Sequence, residues 1–314
     1  MSSKYRSLFN LQFAICNCQF AIILLLLTTG VAQAAEMIPE SQVVALPAAK
    51  DPTVCFRLWF QVGSQNDPPG KEGLAAITAE MLTEASTKQN GYERILDKLF
   101  PMAGGYGSST GVEMTVVAGR IHKDNLNDYV PLLLQAVLEP AFKQEELDRI
   151  KSSTLNELEN TLRYSSDEEL AKAELYNTIF AGTPYGHLPE GTVAGVKSIT
   201  LENVREFYRL HFTRDNLVIG IGGGYSPELV AQLRGQLAAL PFGAELKPVS
   251  DSVPKPIEGI HVKIIEKECE STAISLGFPI EAHRGTKDWY ALALANSWLG
   301  EHRNSSSHLY QVLR

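Results

Sequence analysis

Imidazole is the commonest metal ligand and general base available near neutral pH, so the seven histidines come first. They stand at His122, His187, His211, His261, His283, His302 and His308. A catalytic zinc needs about three protein ligands, an open position for water, and a base to take that water's proton. A helix supplies two imidazoles from positions i and i+4, one turn apart on one face. No two of these histidines are four residues apart, and none precedes His122. Gly222-Gly223-Gly224 follows a strand pattern and precedes a helix pattern, as a phosphate loop does. It lacks both G-x-G-x-x-G spacing and a Lys-Ser/Thr pair, and so reads as a glycine turn. Ser305-Ser306-Ser307-His308 offers a nucleophile without an acid, base and oxyanion frame, and reads as a solvated loop.

The segment that would carry such chemistry is preceded by an export signal. Lys4 and Arg6 give a positive start, residues 20–27 an apolar core, and Ala32-Gln33-Ala34 a small-x-small cleavage site. The apolar run is shorter than the roughly 18 residues a membrane span needs. The alternative is an uncleaved N-terminal anchor, since the hydrophobic stretch extends irregularly back to Phe13. Removing residues 1–34 takes away two positive charges and no negative ones, so the net charge moves from −8 to −10. An acidic exported chain argues against nucleic acid or anionic lipid as partner. Cys16 and Cys18 leave with the signal. Cys55 and Cys269 remain, each in a strand-like run, and read as small buried hydrophobes rather than a disulfide framework.

Hydrophobic periodicity gives the elements that follow. Val54, Phe56, Leu58, Phe60 and Val62 alternate with Cys55, Arg57, Trp59 and Gln61, a half-buried strand. Asp67-Pro68-Pro69-Gly70 is a turn, and residues 71–85 are helical in composition. Further helices are expected over 92–102, 122–138, 143–163, 166–180 and 200–211, the last capped by Thr200. Val112, Met114 and Val116 mark a strand, and residues 217–221 a buried one. Ser226-Pro227 opens a helix running to Leu240. Prolines 241, 248, 254 and 256 mark a linker. Beyond it Val262, Ile264 and residues 272–278 read as strands and residues 289–299 as an amphipathic helix, an echo of the first strand, turn and helix about 218 residues later. The expected organisation is a signal over 1–34, a first domain over 35–245, a linker over 246–258, and the start of a second, truncated domain over 259–314.

Val62-Gly63-Ser64-Gln65-Asn66-Asp67-Pro68-Pro69-Gly70-Lys71-Glu72, followed by Gly73-Leu74-Ala75-Ala76-Ile77-Thr78-Ala79-Glu80-Met81-Leu82, resembles the opening of the insulinase/pitrilysin-like zinc peptidases, the inverzincins. The likeness extends through Tyr185-Gly186-His187, through residues 199–208 with Asn216-Leu217-Val218, and through Leu299-Gly300 with residues 307–314. It implies an α+β fold: paired similar domains, each an antiparallel sheet with helices packed on one face. Here one such domain is complete and a second begins. In that family the helix carries H-x-x-E-H. This sequence has Ala76 at the first histidine, Ala79 at the glutamate and Glu80 at the second histidine. Glu157 matches the spacing of the family's third ligand. The loop holding His187 resembles one that shapes the domain.

The resemblance therefore implies a vestigial metal site at Ala76, Ala79, Glu80 and Glu157. Two carboxylates without imidazole would favour a hard cation, Mg²⁺ or Ca²⁺, over zinc. The alternative, which the commonness of such acids favours, is that Glu80 and Glu157 are solvated helix-face residues. No catalytic residue, no metal ligand and no cofactor is expected, and no substrate-binding residue can be assigned. Family members work as clam-like pairs around a peptide chamber, often pairing an H-x-x-E-H subunit with one lacking it. In such partners an Arg/Tyr pair of the second domain holds substrate, and its place falls just past Arg314. The expected function is the zinc-less partner of a two-chain exported metallopeptidase, periplasmic or secreted, binding peptide by strand addition to a sheet edge. The alternatives are an assembly subunit without proteolytic role, and an active zinc enzyme with a relocated metal.

Overall fold

The computed structural model describes residues 37–243, 257–268, 272–300 and 305–313. The expected export signal, most of the expected linker, and Cys269 lie outside the described residues. The described residues form two compact units: 37–161 with 187–243, and 162–186 with those beyond 256.

The first unit is built on a five-stranded sheet of β1 (Val43–Pro47), β2 (Thr53–Phe60), β3 (Gly105–Thr110), β4 (Thr115–His122) and β5 (Leu217–Gly223). Its order is β1-β5-β2-β4-β3. Three of the four pairings are antiparallel, but β1 and β5 run parallel, Val43 opposite Ile219 and Pro47 opposite Gly223. The expected antiparallel sheet holds at three pairings, and the parallel fourth has a topological cause. β1 turns back into β2, and β5 arrives later between them, so it must be parallel to one of the two.

The helices are α1 (Leu74–Thr83), α2 (Tyr92–Leu99), α3 (Leu126–Leu138), α4 (Gln144–Asn156), α5 (Asp167–Ile179), α6 (Val193–Ser198), α7 (Leu201–His211), α8 (Pro227–Leu237), α9 (Lys287–Leu299) and α10 (His308–Leu313). Val54, Phe56, Leu58 and Phe60 point from β2 into one core with α1, α3, α7 and α8 residues such as Ile77, Leu133, Phe207 and Leu233. Burying such a side chain stabilises by roughly 1.5–3 kcal/mol, so this shared core holds the helices to the sheet. Tyr129 stacks obliquely on Phe56 at 5.8 Å and donates to the Gly105 carbonyl at 2.8 Å, tying α3 to β3. The expected Thr200 cap is a full capping box. Thr200 accepts from the Asn203 N–H, and the Asn203 side chain accepts from the Thr200 N–H.

Several expectations are corrected here. Cys55 is exposed, because the register that turns Val54 and Phe56 inward turns it outward. The helix expected over 143–163 leaves α geometry at Glu157 and continues as a π-helix to Ser165. In the second unit, no strand ladder forms at 262–264 or 272–278 among the described residues. Ile264 is 77% and Leu276 89% exposed. Alternation alone makes no strand without a neighbour to accept its backbone bonds. The run at 257–268 is tied instead to α5 through Lys263 to Glu174 and Lys267 to Asp167. Nor is the helix near 289–299 one-sided, since its residues are exposed all round. Ser307 is buried and accepts from the Tyr310 N–H at the start of α10, an N-cap rather than part of a solvated loop.

Candidate functional site

The candidate site is α1 and the loops that hold it. β2 runs out into Gly63, whose N–H donates to Asn66 Oδ1 at 3.0 Å. The N–H groups of Ser64 and Gln65 then donate to the Gly111 and Val112 carbonyls, 3.0 Å each. The Asp67 carboxylate reaches over the Pro68-Pro69-Gly70 turn and accepts from the Gly73 and Ala75 N–H groups, 2.7 Å each. These are donors a helix N-terminus leaves without intrahelical partners. Burial pushes Asp67 up to about 7, against the pull of those two donors. Gly73 has φ +102° and Gly191 φ +91°, and a Cβ on Gly191 would stand 2.1 Å from the Glu72 carbonyl oxygen. The Thr192 N–H donates to that same oxygen at 3.4 Å, so the 190s loop closes directly on the start of α1.

Once begun, α1 is walled in. It packs along β3 and against α4 and α7, and every residue except Glu80 is buried. Ala76, Ala79, Glu80 and Thr83 share one stripe by helical spacing. Methyl groups at 76 and 79 carry no lone pair and no titratable proton. Glu80 is half-buried, which corrects the expectation of a solvated acid. Burial pushes its carboxyl up to about 7, with Glu84 and Glu190 adding and Arg149 opposing. Arg149 donates to the Glu84 carbonyl and lies 5.4 Å from the Tyr92 ring centroid. Glu157, by contrast, is exposed, where α4 gives way to the π-helix. Among the described residues no group of three or more His, Cys, Asp and Glu is placed to hold a metal ion. One carboxylate beside two methyl groups is not a donor set for zinc, which takes four nitrogen, sulfur or oxygen ligands.

Other candidates resolve into structure. A Cβ on Gly223 would stand 2.0 Å from the Thr53 carbonyl oxygen, so the glycine run serves a close strand approach. His187 contacts the Leu188 carbonyl through Nδ1 at 2.9 Å within the loop that closes on α1. Asp67, Glu84 and Glu190 were not singled out by sequence reasoning. For Asp67 a signal existed: an acid ahead of a proline turn and a helix start.

Residues 43–192 match the family model described as Insulinase (Peptidase family M16), and residues 198–314 the one described as Peptidase M16 inactive domain. An uncharacterized zinc protease of Rickettsia bellii is 25% identical over 263 residues, covering 83% of this chain and 61% of the relative. A non-peptidase homolog, YmxG, of Helicobacter pylori is 26% identical over 229 residues, covering 72% of this chain and 51% of the relative. The crystal structure of a peptidase M16 inactive domain from Pseudomonas fluorescens matches with a TM-score of 0.62 and 26% identity, over 68% of this chain and 52% of that one. The chain thus spans about half to three-fifths of the length of these relatives.

Proposed function

This chain belongs to the insulinase family of peptidases, family M16, and we propose that it acts there as a zinc-less, non-catalytic subunit. In this reading it pairs with an H-x-x-E-H-bearing chain to form an exported metallopeptidase, periplasmic or secreted, and helps enclose and bind peptide. One observation carries the proposal. The loops that place α1 keep close tolerances, while the stripe that holds metal in zinc peptidases offers Ala76, Ala79 and Glu80. A subunit that keeps the wall and drops the chemistry is useful for shape and binding. A relative named as a non-peptidase homolog fits the same reading.

β3 supplies a means of binding. It ends the sheet, so one side of it is unpaired among the described residues, and it runs beside α1. An extended peptide can add there as a further strand, its main chain giving affinity. The water-activating zinc would sit in the partner, and no step is assigned to Glu80.

The test is co-expression with an H-x-x-E-H-bearing chain encoded beside it. The expected result is a stable complex whose peptide cleavage is lost with a chelator or when the partner's motif glutamate is replaced. A monomeric chain, with a partner fully active alone, would overturn the proposal.

A further inference from the structure

The edge strand β3 is joined to α1 by one side-chain hydrogen bond among the described residues. Thr83 Oγ1 lies 3.3 Å from the Ala79 carbonyl oxygen and 3.0 Å from Ser108 Oγ. A carbonyl only accepts, so the Thr83 hydroxyl donates to Ala79 and the Ser108 hydroxyl donates to Thr83. Thr83 is 4% exposed and Ser108 half-buried, which shields the bond from competing water. Elsewhere β3 is held by its ladder to β4 and by the Tyr129 hydroxyl on the Gly105 carbonyl. A Cβ at Gly105 or Gly107 would meet no atom within 4 Å. Tyr106 packs edge-on to Tyr129 at 6.4 Å, and Thr115 Oγ1 donates to Thr110 Oγ1 at 3.3 Å at the β4 end.

We infer that Thr83 and Ser108 are positioning residues for the peptide-accepting edge. Thr83 stands three residues beyond Glu80 and four beyond Ala79, on the stripe where a zinc peptidase carries its ligands. The hydroxyl pair therefore joins the middle of β3 to that stripe. A strand accepts a new neighbour only when its free N–H and C=O groups lie in line, since hydrogen bonds weaken steeply with distance and angle. The inference rests on the peptide-binding role proposed above and names two residues through which the edge is held.

The test uses the co-purified two-chain complex and a fluorescein-labelled tryptic β-casein peptide, read by anisotropy. Thr83→Val and Ser108→Ala should each raise Kd roughly three- to tenfold, the worth of one hydrogen bond. The double variant should be no weaker than either single one, because both remove the same bond. Thr83→Ser, which keeps the hydroxyl, should bind as the parent does. Amide exchange over residues 105–110 should quicken in Thr83→Val and Ser108→Ala without peptide present, with β2 and β5 unchanged. If the parent complex binds and both variants match it, the positioning role is overturned while the peptide reading stands. Additive losses, or quickened exchange across the whole sheet, also overturn the role. A parent complex that binds no peptide overturns both.

Discussion

Two parts of one short stretch obey different rules. The frame around α1 leaves no room for a Cβ at Gly73 or Gly191 and ties the helix start to Asp67 by two hydrogen bonds. The stripe on α1, only a few residues further on, carries methyl groups and one carboxyl whose charge is disfavoured where it sits. The difference teaches that placing a helix and arming it are separate tasks. The frame is needed for folding whether or not chemistry follows, because α1 packs against β3, α4 and α7. On the stripe, positions 76, 79 and 80 are those where a zinc peptidase carries its chemistry, while Thr83 serves the frame by bonding to β3.

The comparison breaks first at Gly191. Alanine there puts a Cβ on the Glu72 carbonyl in a left-handed backbone, so Gly191→Ala should cost about 3–5 kcal/mol, or prevent folding. Urea unfolding of the full chain measures it. A cost below about 1 kcal/mol would mean that the frame is looser than it looks. Next comes Asp67→Ala, which strips two acceptors from the start of α1 and should cost about 2 kcal/mol. Substitution of a frame residue should thus outweigh any change on the stripe.

The elements around this frame were legible in the sequence, although the closing contacts of Asp67 and Gly191 were not. Period-two alternation identified β2 because only that spacing puts Val54, Phe56, Leu58 and Phe60 on one face. Thr200 and Pro227 marked helix starts, since caps are local chemistry. What failed depended on partners distant in the chain. The parallel β1–β5 pair joins residues more than 170 positions apart, and no local pattern announces it. Cys55 was assigned inward from its chemical type, although its place in the alternation already turned it outward. The runs at 262–264 and 272–278 have a strand's pattern without a neighbouring strand among the described residues. For the candidate site, the absent ligands were readable directly. The environment of Glu80 was not, because three separate elements create it.

Glu80 sharpens the comparison from the other side, with a gain. Its carboxyl titrates near 4.5 when unfolded and about 7 when folded. A raised carboxyl pKa means that the folded state binds the proton more tightly, so ionisation destabilises the fold. The penalty is absent below pH 4.5, grows between 4.5 and 7, and is constant above. Glu80→Gln should therefore stabilise the chain by about 1–2 kcal/mol at pH 8, discounted for partial exposure, and by almost nothing at pH 4. Thermal melts at both pH values check the sign. A loss of stability at pH 8 would show that Glu80 has a cationic or metal partner.

The smallest expected effect belongs to Glu157. Glu157 is exposed, so Glu157→Gln should change stability by less than about 0.5 kcal/mol at either pH. The pair is informative because both positions resemble ligand sites of the same family motif, yet only Glu80 is enclosed by α1's neighbours. If the two carboxyls jointly held a cation, each substitution would cost stability in its presence, and Mg²⁺, Ca²⁺ or Zn²⁺ would raise the melting temperature of the parent chain. With no shared ion, Glu80→Gln gains, Glu157→Gln does nothing, and none of the three metals shifts the parent's transition. Three melts with added metal thus decide whether the stripe keeps a trace of its relatives' chemistry or only the helix that once positioned it.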